Sequence, residues 1–165
     1  MNTLSFTIEE KDETFTVHLY GAINEFCSEP LNKLEEVTGS KVILNFKNIE
    51  YINSRGTKNF AKFVDSYQKN RQVQLTECTS AIMVQVSCYP KFIGNCEILS
   101  FYGNFYCENC GEEANKLFQS KDGYNAILNA SQNFPCPNCS DKMELEEYEE
   151  TFLQFLNTNK SSTAS

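Results

Sequence analysis

Lys41-Val-Ile-Leu-Asn-Phe46, then Lys47-Asn-Ile-Glu-Tyr-Ile52, Asn53-Ser-Arg-Gly56 and a periodic run to Tyr67, is the stretch around which this 165-residue chain is organised. Val42, Ile43, Leu44 and Phe46 form a short, nearly continuous apolar block rich in β-branched residues, the pattern of a strand buried on both faces in the middle of a sheet. Beyond Ser54 the period changes. Phe60, Phe63, Val64 and Tyr67 fall at i, i+3, i+4 and i+7, the apolar stripe of an amphipathic helix. Between strand and helix, Asn53-Ser54-Arg55-Gly56 supplies a cap residue and a glycine that lets the backbone approach a partner closely. A serine hydroxyl is thereby held at a helix N-terminus, where unpaired N–H groups and the helix dipole would stabilise a phosphate placed on it.

Asn48-Ile-Glu-Tyr-Ile-Asn-Ser-Arg-Gly56 resembles the signature of the STAS domain, the fold of bacterial anti-sigma-factor antagonists. In that family a strand leads into an Asp-Ser-x-Gly turn whose serine or threonine is phosphorylated by a partner kinase. The resemblance puts Ser54 on the acceptor position and Gly56 on the glycine, with Asn53 where the family usually has aspartate. It implies a partner surface that includes Asn53, Arg55 and Gly56. Arg55, Lys58, Lys62 and Lys69 lie on the helix face away from Phe60 and Phe63. Lys58 and Lys62 then belong either to a solvated basic face or to a patch for an acidic partner beside the serine.

The rest of the chain extends the resemblance to about Met1–Tyr102. Thr3–Ile8 and Phe15–Leu19 alternate apolar and polar residues around a polar turn and predict a β-hairpin. His18, the single histidine, sits on its polar face and reads as a surface residue. Gly21 is expected to end the second strand. A first helix opens at Ser28-Glu-Pro30, buries Leu31, Leu34 and Val37, and is expected to close at Gly39. Val73–Leu75 predicts a strand, Thr79 or Ser80 caps a third helix with Ile82, Met83 and Val86 inward, and Cys96–Phe101 predicts a final strand. The order ββαβαβαβ gives an α/β fold with a mixed, largely parallel sheet, as in STAS domains.

Past Tyr102 the texture changes. Cys107-Glu-Asn-Cys110 and Cys136-Pro-Asn-Cys139 are two C-x₂-C pairs separated by 25 residues. Two residues between thiolates let the chain curl so that both sulfurs face one ion, and two such turns supply the S₄ set of a closed Zn²⁺ centre. The pattern resembles a zinc ribbon with one structural Zn²⁺. Leu117-Phe118 and Ala126–Leu128 are expected to form a hairpin inside the loop, with Met143–Leu145 as a third strand. Disulfides, a thioredoxin-like redox pair and a Cys₄ iron–sulfur cluster compete with zinc; the cluster stays open from sequence. Cys27, Cys78, Cys88 and Cys96 share no ligand spacing and read as free thiols.

A chain of this length buries roughly 70% of its unfolded surface, enough for a core without disulfides. Met1–Glu13 is polar and acidic, so no secretory leader is expected, and no apolar stretch approaches the roughly 20 residues that span a bilayer. The expected compartment is the cytoplasm of a bacterium. The formal net charge is −8, and residues 103–150 carry three lysines against ten acids, a balance of −7. Phosphate backbones would be repelled, which disfavours a nucleic-acid partner.

The expected organisation is a STAS-like domain (1–102), a zinc ribbon (103–146), a C-terminal helix (147–157) built on Tyr148, Phe152, Phe155 and Leu156, and a disordered tail (158–165). The basic helix face of the first domain is one candidate docking surface for the acidic ribbon, though nothing in the sequence requires it. Glycine-rich phosphate loops, nucleophile–histidine pairs and open metal positions are missing, so no enzyme is expected. Three functions fit. The first is a regulatory interaction module, switched by phosphorylation of Ser54 and bound by a kinase or anti-sigma-type protein. The second is a constitutive adaptor whose two modules are docking surfaces, favoured by Asn53 and the appended ribbon. The third is a redox-sensing zinc centre.

Overall fold

The computed structural model describes residues 3–158. The polar tail expected at the C-terminus lies, from residue 159 onward, outside them. Strands β1 (Ser5–Lys11) and β2 (Thr14–Ile23) form the predicted hairpin, turning through Asp12 and Glu13, both at positive φ. Helix α1 (Ser28–Glu35) leads to β3 (Lys41–Ile52), then α2 (Ser54–Tyr67), β4 (Gln72–Thr76), α3 (Ser80–Cys88) and the two-residue β5 (Glu97–Ile98). The five strands lie in the order β1-β2-β3-β4-β5, with every pairing parallel except β1–β2. This is the STAS-like, mixed and largely parallel sheet that the element order implies. Parallel neighbours need crossover connections, and the helices supply them.

The core follows from the apolar pattern. Val17 and Leu19 of β2, Val42, Leu44 and Phe46 of β3, and Leu75 of β4 are buried beneath Phe60, Phe63, Val64 and Tyr67 of α2. Phe60 is the hub: its ring meets Phe46 edge-on at 5.6 Å and Phe92 at 4.9 Å. On the opposite face Thr16, His18 and Ile43 are only half-buried, so β3 is not sealed equally on both sides.

A second, antiparallel sheet has the order β7-β6-β8, from β6 (Ser100–Tyr106), β7 (Glu113–Gln119) and β8 (Glu144–Leu145). Helix α4 (Tyr124–Gln132) lies between β7 and β8, and two short helices, α5 (Glu149–Phe152) and α6 (Phe155–Thr158), close the described chain. The second sheet is seated against α3 and β4, while Arg55, Lys58 and Lys62 remain exposed. The basic face of α2 is therefore not its seat.

Several local expectations change. Residues 96–101 are not one strand: β5 stops at Ile98, and after Leu99 the chain enters the second sheet as β6. Leu99 N–H donates to Leu75 and Tyr102 N–H to Cys78, so the two sheets are joined through backbone at the end of β4. Ala126–Leu128 belongs to a helix and not to a hairpin. Gly123, at φ 82°, turns the chain, and Tyr124, Ile127, Leu128 and Ser131 then recur at helical spacing with Ile127 and Ser131 buried. The actual partner of β7 is β6.

Gly39 does not cap α1, which ends at Glu35 with Glu36 as its C-cap; a Cβ at Gly39 would collide with the Phe15 ring. Gly21 does not end β2 either. At φ 85° it sits where the β2–β3 register shifts, and the strand continues to Ile23. The single C-terminal helix is two, with Phe152, Leu153 and Leu156 buried and Tyr148 exposed.

Candidate functional site

Two places in this fold gather chemistry. The first is the corner where β2 and β3 end and α2 begins. Asn53, extended at φ −118° and ψ 172°, caps α2: its side-chain oxygen accepts the Gly56 N–H at 2.8 Å. Its amide nitrogen donates to Glu25 Oε2 at 2.7 Å, and its backbone N–H donates to the Ile23 carbonyl. That amide hydrogen bond, followed by backbone hydrogen bonding and the charge of Arg55, holds the Glu25 carboxyl below its usual range. Ser54 is the first helical residue and is exposed; with Asn53 as the cap, its hydroxyl is not engaged in capping.

Gly56 is required by geometry. A Cβ there would overlap the Ile23 carbonyl and lie 2.7 Å from the Asn24 nitrogen, so only glycine lets α2 press against the end of β2. One turn on, the buried Thr57 hydroxyl lies 3.0 Å from both the Asn53 carbonyl and Gln85 Oε1, sharing its one proton between them and tying the corner to α3.

The sequence reading named Asn53, Ser54, Arg55, Gly56, Lys58 and Lys62 here. The structure adds Glu25, Phe26 and Tyr51. Phe26 is 60% exposed and Tyr51 56%, both in segments adjoining the Asn53–Glu25 pair. Exposed aromatic residues of this size are unusual on free surface and enriched at interfaces. Their signal in the sequence was an apolar residue out of phase with its strand or loop, which has no meaning until the strand's faces are known.

The second place is the cysteine cluster. The four ligand atoms of Cys107, Cys110, Cys136 and Cys139 all lie within 4.8 Å of one another, with Cys107–Cys139 and Cys110–Cys136 at 3.5 Å. A tetrahedral ion with metal–sulfur bonds of about 2.3 Å needs sulfur–sulfur edges of about 3.8 Å, so the donor set fits one metal ion. None of these cysteines is in a disulfide.

Each Cys pair is folded the same way. Gly111 N–H donates to the Cys107 carbonyl and Ser140 N–H to the Cys136 carbonyl, and both Gly111 (φ 75°) and Ser140 (φ 65°) are left-handed. The Asn138 N–H also points at Cys136 Sγ at 3.4 Å. The Asn138 side chain, first, and the Glu112 backbone hold the Cys110 thiol down at about 7, the direction that favours a thiolate ligand. Cys107 and Cys136 are buried, Cys139 is half-buried and Cys110 is exposed at the rim.

The Cys107 thiol goes the other way from that of Cys110: the Cys110 backbone lowers it, but burial and the Cys139 thiol raise it, to about 12. The remaining thiols lie outside the cluster. Burial pushes Cys96 up to about 12 and Cys78 higher still, while Cys88 is exposed. None shares a site with the cluster.

No protein-family model matches the chain, and no curated protein matches it by sequence. Solved structures do resemble it. An anti-sigma factor antagonist from Mycobacterium paratuberculosis aligns at 13% identity over 53% of this chain and 79% of its own, with a TM-score of 0.46. The anti-sigma factor antagonist SpoIIAA in its unphosphorylated form aligns at 16% identity over 57% and 86%, at 0.42. A protein from Shewanella loihica described as having a SpoIIAA-like fold aligns at 10% identity over 59% and 85%, at 0.42. At such identities and scores the likeness is one of fold and carries nothing about activity or partners. Among the described residues no helix is long and apolar enough to cross a membrane.

Proposed function

We propose that this chain is a non-enzymatic regulatory module that binds a protein partner through the corner around Ser54, and that its second sheet is a ribbon held by one structural Zn²⁺. The observation that carries the first part is the exposed Ser54 hydroxyl at the start of α2, with Asn53 doing the capping and Phe26, Tyr51, Arg55 and Lys58 exposed on the adjoining segments. Aromatic surface would supply the desolvated centre of an interface and the cations its rim. Phosphorylation of Ser54 would add about two negative charges there and weaken that contact by repulsion and desolvation. The partner is then of kinase or anti-sigma type, in a bacterial cytoplasm.

The test is the intact mass of the protein from its own cells, combined with partner capture by Ser54→Ala and Ser54→Asp variants. The expected result is a phosphate on Ser54 and capture lost only in the Asp variant. Equal capture by both variants would sink the switch.

A second reading, the constitutive adaptor, is favoured by one contact. The Glu25 carboxylate bound to Asn53 already places a negative charge beside Ser54, which opposes a phosphate there. Glu25→Gln separates the two readings: faster phosphorylation of Ser54 in this variant supports the switch, and no phosphate in either protein supports the adaptor.

Zn²⁺ is favoured at the cysteine cluster because four thiolates close the coordination shell and leave no position for substrate. Metal analysis of the purified protein, together with its visible spectrum, distinguishes one colourless Zn²⁺ from a coloured iron–sulfur cluster.

A further inference from the structure

Residues 89–98, Tyr-Pro-Lys-Phe-Ile-Gly-Asn-Cys-Glu-Ile, play no part in either site above. With the end of α3 and the C-terminal helices they line a partly open cavity of about 530 Å³, within the range of small-molecule sites. Its apolar lining comes from Val86, Ile93, Ile98 and Phe155. Its hydrogen-bonding groups come from Ser87, Asn95, Thr151 and Gln154.

The walls are fixed by contacts that need no ligand. Gln68 accepts the Asn95 N–H at 2.9 Å, and a Cβ on Gly94, itself at φ 53°, would collide with the same amide. Ser87 Oγ lies 3.1 Å from the Met83 carbonyl of its own helix and 3.3 Å from the Thr151 carbonyl of α5, so its one proton is shared between α3 and α5, and the Phe155 ring stands edge-on to Phe101 at 5.1 Å. A preformed cavity loses little freedom on binding.

The lining also names the ligand's charge. In a chain with 22% charged residues, none of the described residues lining this cavity is Asp, Glu, Lys, Arg or His. The one titratable lining group, the Cys96 thiol, is kept neutral by burial. An ionised carboxylate or ammonium entering it would lose water without gaining a counter-charge. The hydroxyl and amide groups can both donate to and accept from a neutral polar end. The chain's own residues 159–165 are a poor occupant, because in Asn-Lys-Ser-Ser-Thr-Ala-Ser the only wholly apolar side chain is that of Ala164.

We propose that this cavity is a binding site for an uncharged small amphiphile, with an apolar body against Ile93, Ile98 and Phe155 and a hydroxyl, ester or amide end at Asn95 and Gln154. Its walls come from α3, the 89–98 loop and the C-terminal helices together, so an occupant bridges the first sheet's layer and the C-terminal segment. Binding therefore tightens the C-terminal helices against α3.

The test titrates the full chain with Nile red, a neutral solvatochromic dye, at pH 7.5, and then displaces it with 1-decanol, decanoate or decylammonium. The expected result is one saturable site, displaced by decanol at a concentration at least about tenfold lower than by either ion. Ile93→Trp fills the cavity, and Gln154→Trp blocks its mouth from an exposed position that leaves the fold intact. Each should weaken dye binding by about tenfold or more at an unchanged circular dichroism spectrum. If Ile93→Trp does not fold, Gln154→Trp decides alone. No saturable binding, equal displacement by the ions, unchanged binding in Gln154→Trp, or binding that arises only when residues 159–165 are removed would each overturn the proposal.

Discussion

Strand β6 begins and ends in different physics. At Phe101 it is held by rings: Phe118, Phe152 and Phe155 all lie within 5.7 Å of the Phe101 centroid, and the backbone at Cys78 bonds to the residues on either side of it. Six residues later, at Cys107, just past its end, the chain meets two short turns whose four sulfurs face one point, at the edge of the same buried cluster. Ring packing is distributed, so it weakens in proportion to what is removed. A metal centre is local and all-or-none, because removing one of four ligands removes most of the binding energy that folds its surroundings. One strand thus joins a part of the molecule that degrades gradually to a part that fails at once.

The strongest way to break the comparison is to take the metal away. Cys136→Ser, or a chelator, should abolish hydrogen-exchange protection at residues 107–112 and 134–145 while the amides of β2, β3 and β4 stay protected. Protection at Tyr102 should persist, because its N–H donates to the Cys78 carbonyl and not to the knuckles. Loss of protection in both sheets together would show that the ribbon's metal also holds the first sheet.

Next in size is Phe101→Ala. A buried phenylalanine replaced by alanine costs about 3–5 kcal/mol. Here the loss should fall on both sheets at once, since Phe101 is fully buried where they meet. The measurement is urea unfolding followed by a probe in each sheet. Coincident transitions, both shifted, are expected; a shift confined to the second sheet would mean that the joint is not shared.

Acid separates two carboxylates at that same joint. Glu77 is partly buried, which works against its charge, but Asn45 and Tyr102 donate to it at 2.7 and 2.9 Å and Lys47 lies 3.7 Å away, so its carboxyl is held below the usual value. A depressed carboxyl contributes stability that is present above its unfolded pKa and is lost as pH falls through its folded pKa. Glu147 is the reverse. Burial raises its carboxyl, with one oxygen accepting from Ser80 and the other buried without a partner. Its contribution is present below the unfolded value and is lost as pH rises through the folded one. Glu77→Gln should therefore flatten the stability loss on acidification below the usual carboxylate range, and Glu147→Gln should flatten the loss just above it. Parallel pH profiles for both variants and the parent would contradict these assignments.

How much of this was legible in the sequence follows the same division. Phe60, Phe63, Val64 and Tyr67 announced α2 because one face of a helix meets one core, and the two Cys pairs announced a four-cysteine cluster that could hold a metal ion because their spacing is itself the chemistry. Ala126–Leu128 misled because three apolar residues fit either period, and the deciding partners, Tyr124 and Ser131, lay outside the run. Leu99, the point where the chain leaves one sheet for the other, shows in the sequence only as one slip in the alternation, Ile98 and Leu99 side by side; the pairing of Phe101 with Phe118 and of Tyr102 with Leu117 is what reassigns the run. The Glu25–Asn53 contact spans 28 positions and the cavity beside α3 is made by three separate segments, so neither leaves a local pattern.

The smallest expected effect lies within the cysteine cluster, where the two knuckles differ at two positions, Glu108 against Pro137 and Gly111 against Ser140. Gly111 and Ser140 occupy equivalent places, each directly after the second cysteine of its pair and each left-handed. A non-glycine residue there costs roughly 1–2 kcal/mol, offset by the roughly 0.5–1 kcal/mol that glycine loses in conformational freedom on folding. Ser140 is exposed and its backbone N–H, not its side chain, makes the bond to Cys136. Ser140→Gly should therefore stabilise the metal-loaded protein by about 0.5 kcal/mol, whereas Gly111→Ala should destabilise it by about the same amount. A Cβ at Gly111 meets nothing within 4 Å, so the cost there is backbone conformation alone. Competition for the metal against a chelator of known affinity reads both changes on one scale. Opposite signs would show that the two turns are equivalent devices at different degrees of optimisation; loss of affinity in both would mean that the Ser140 side chain supports its turn in a way that glycine cannot.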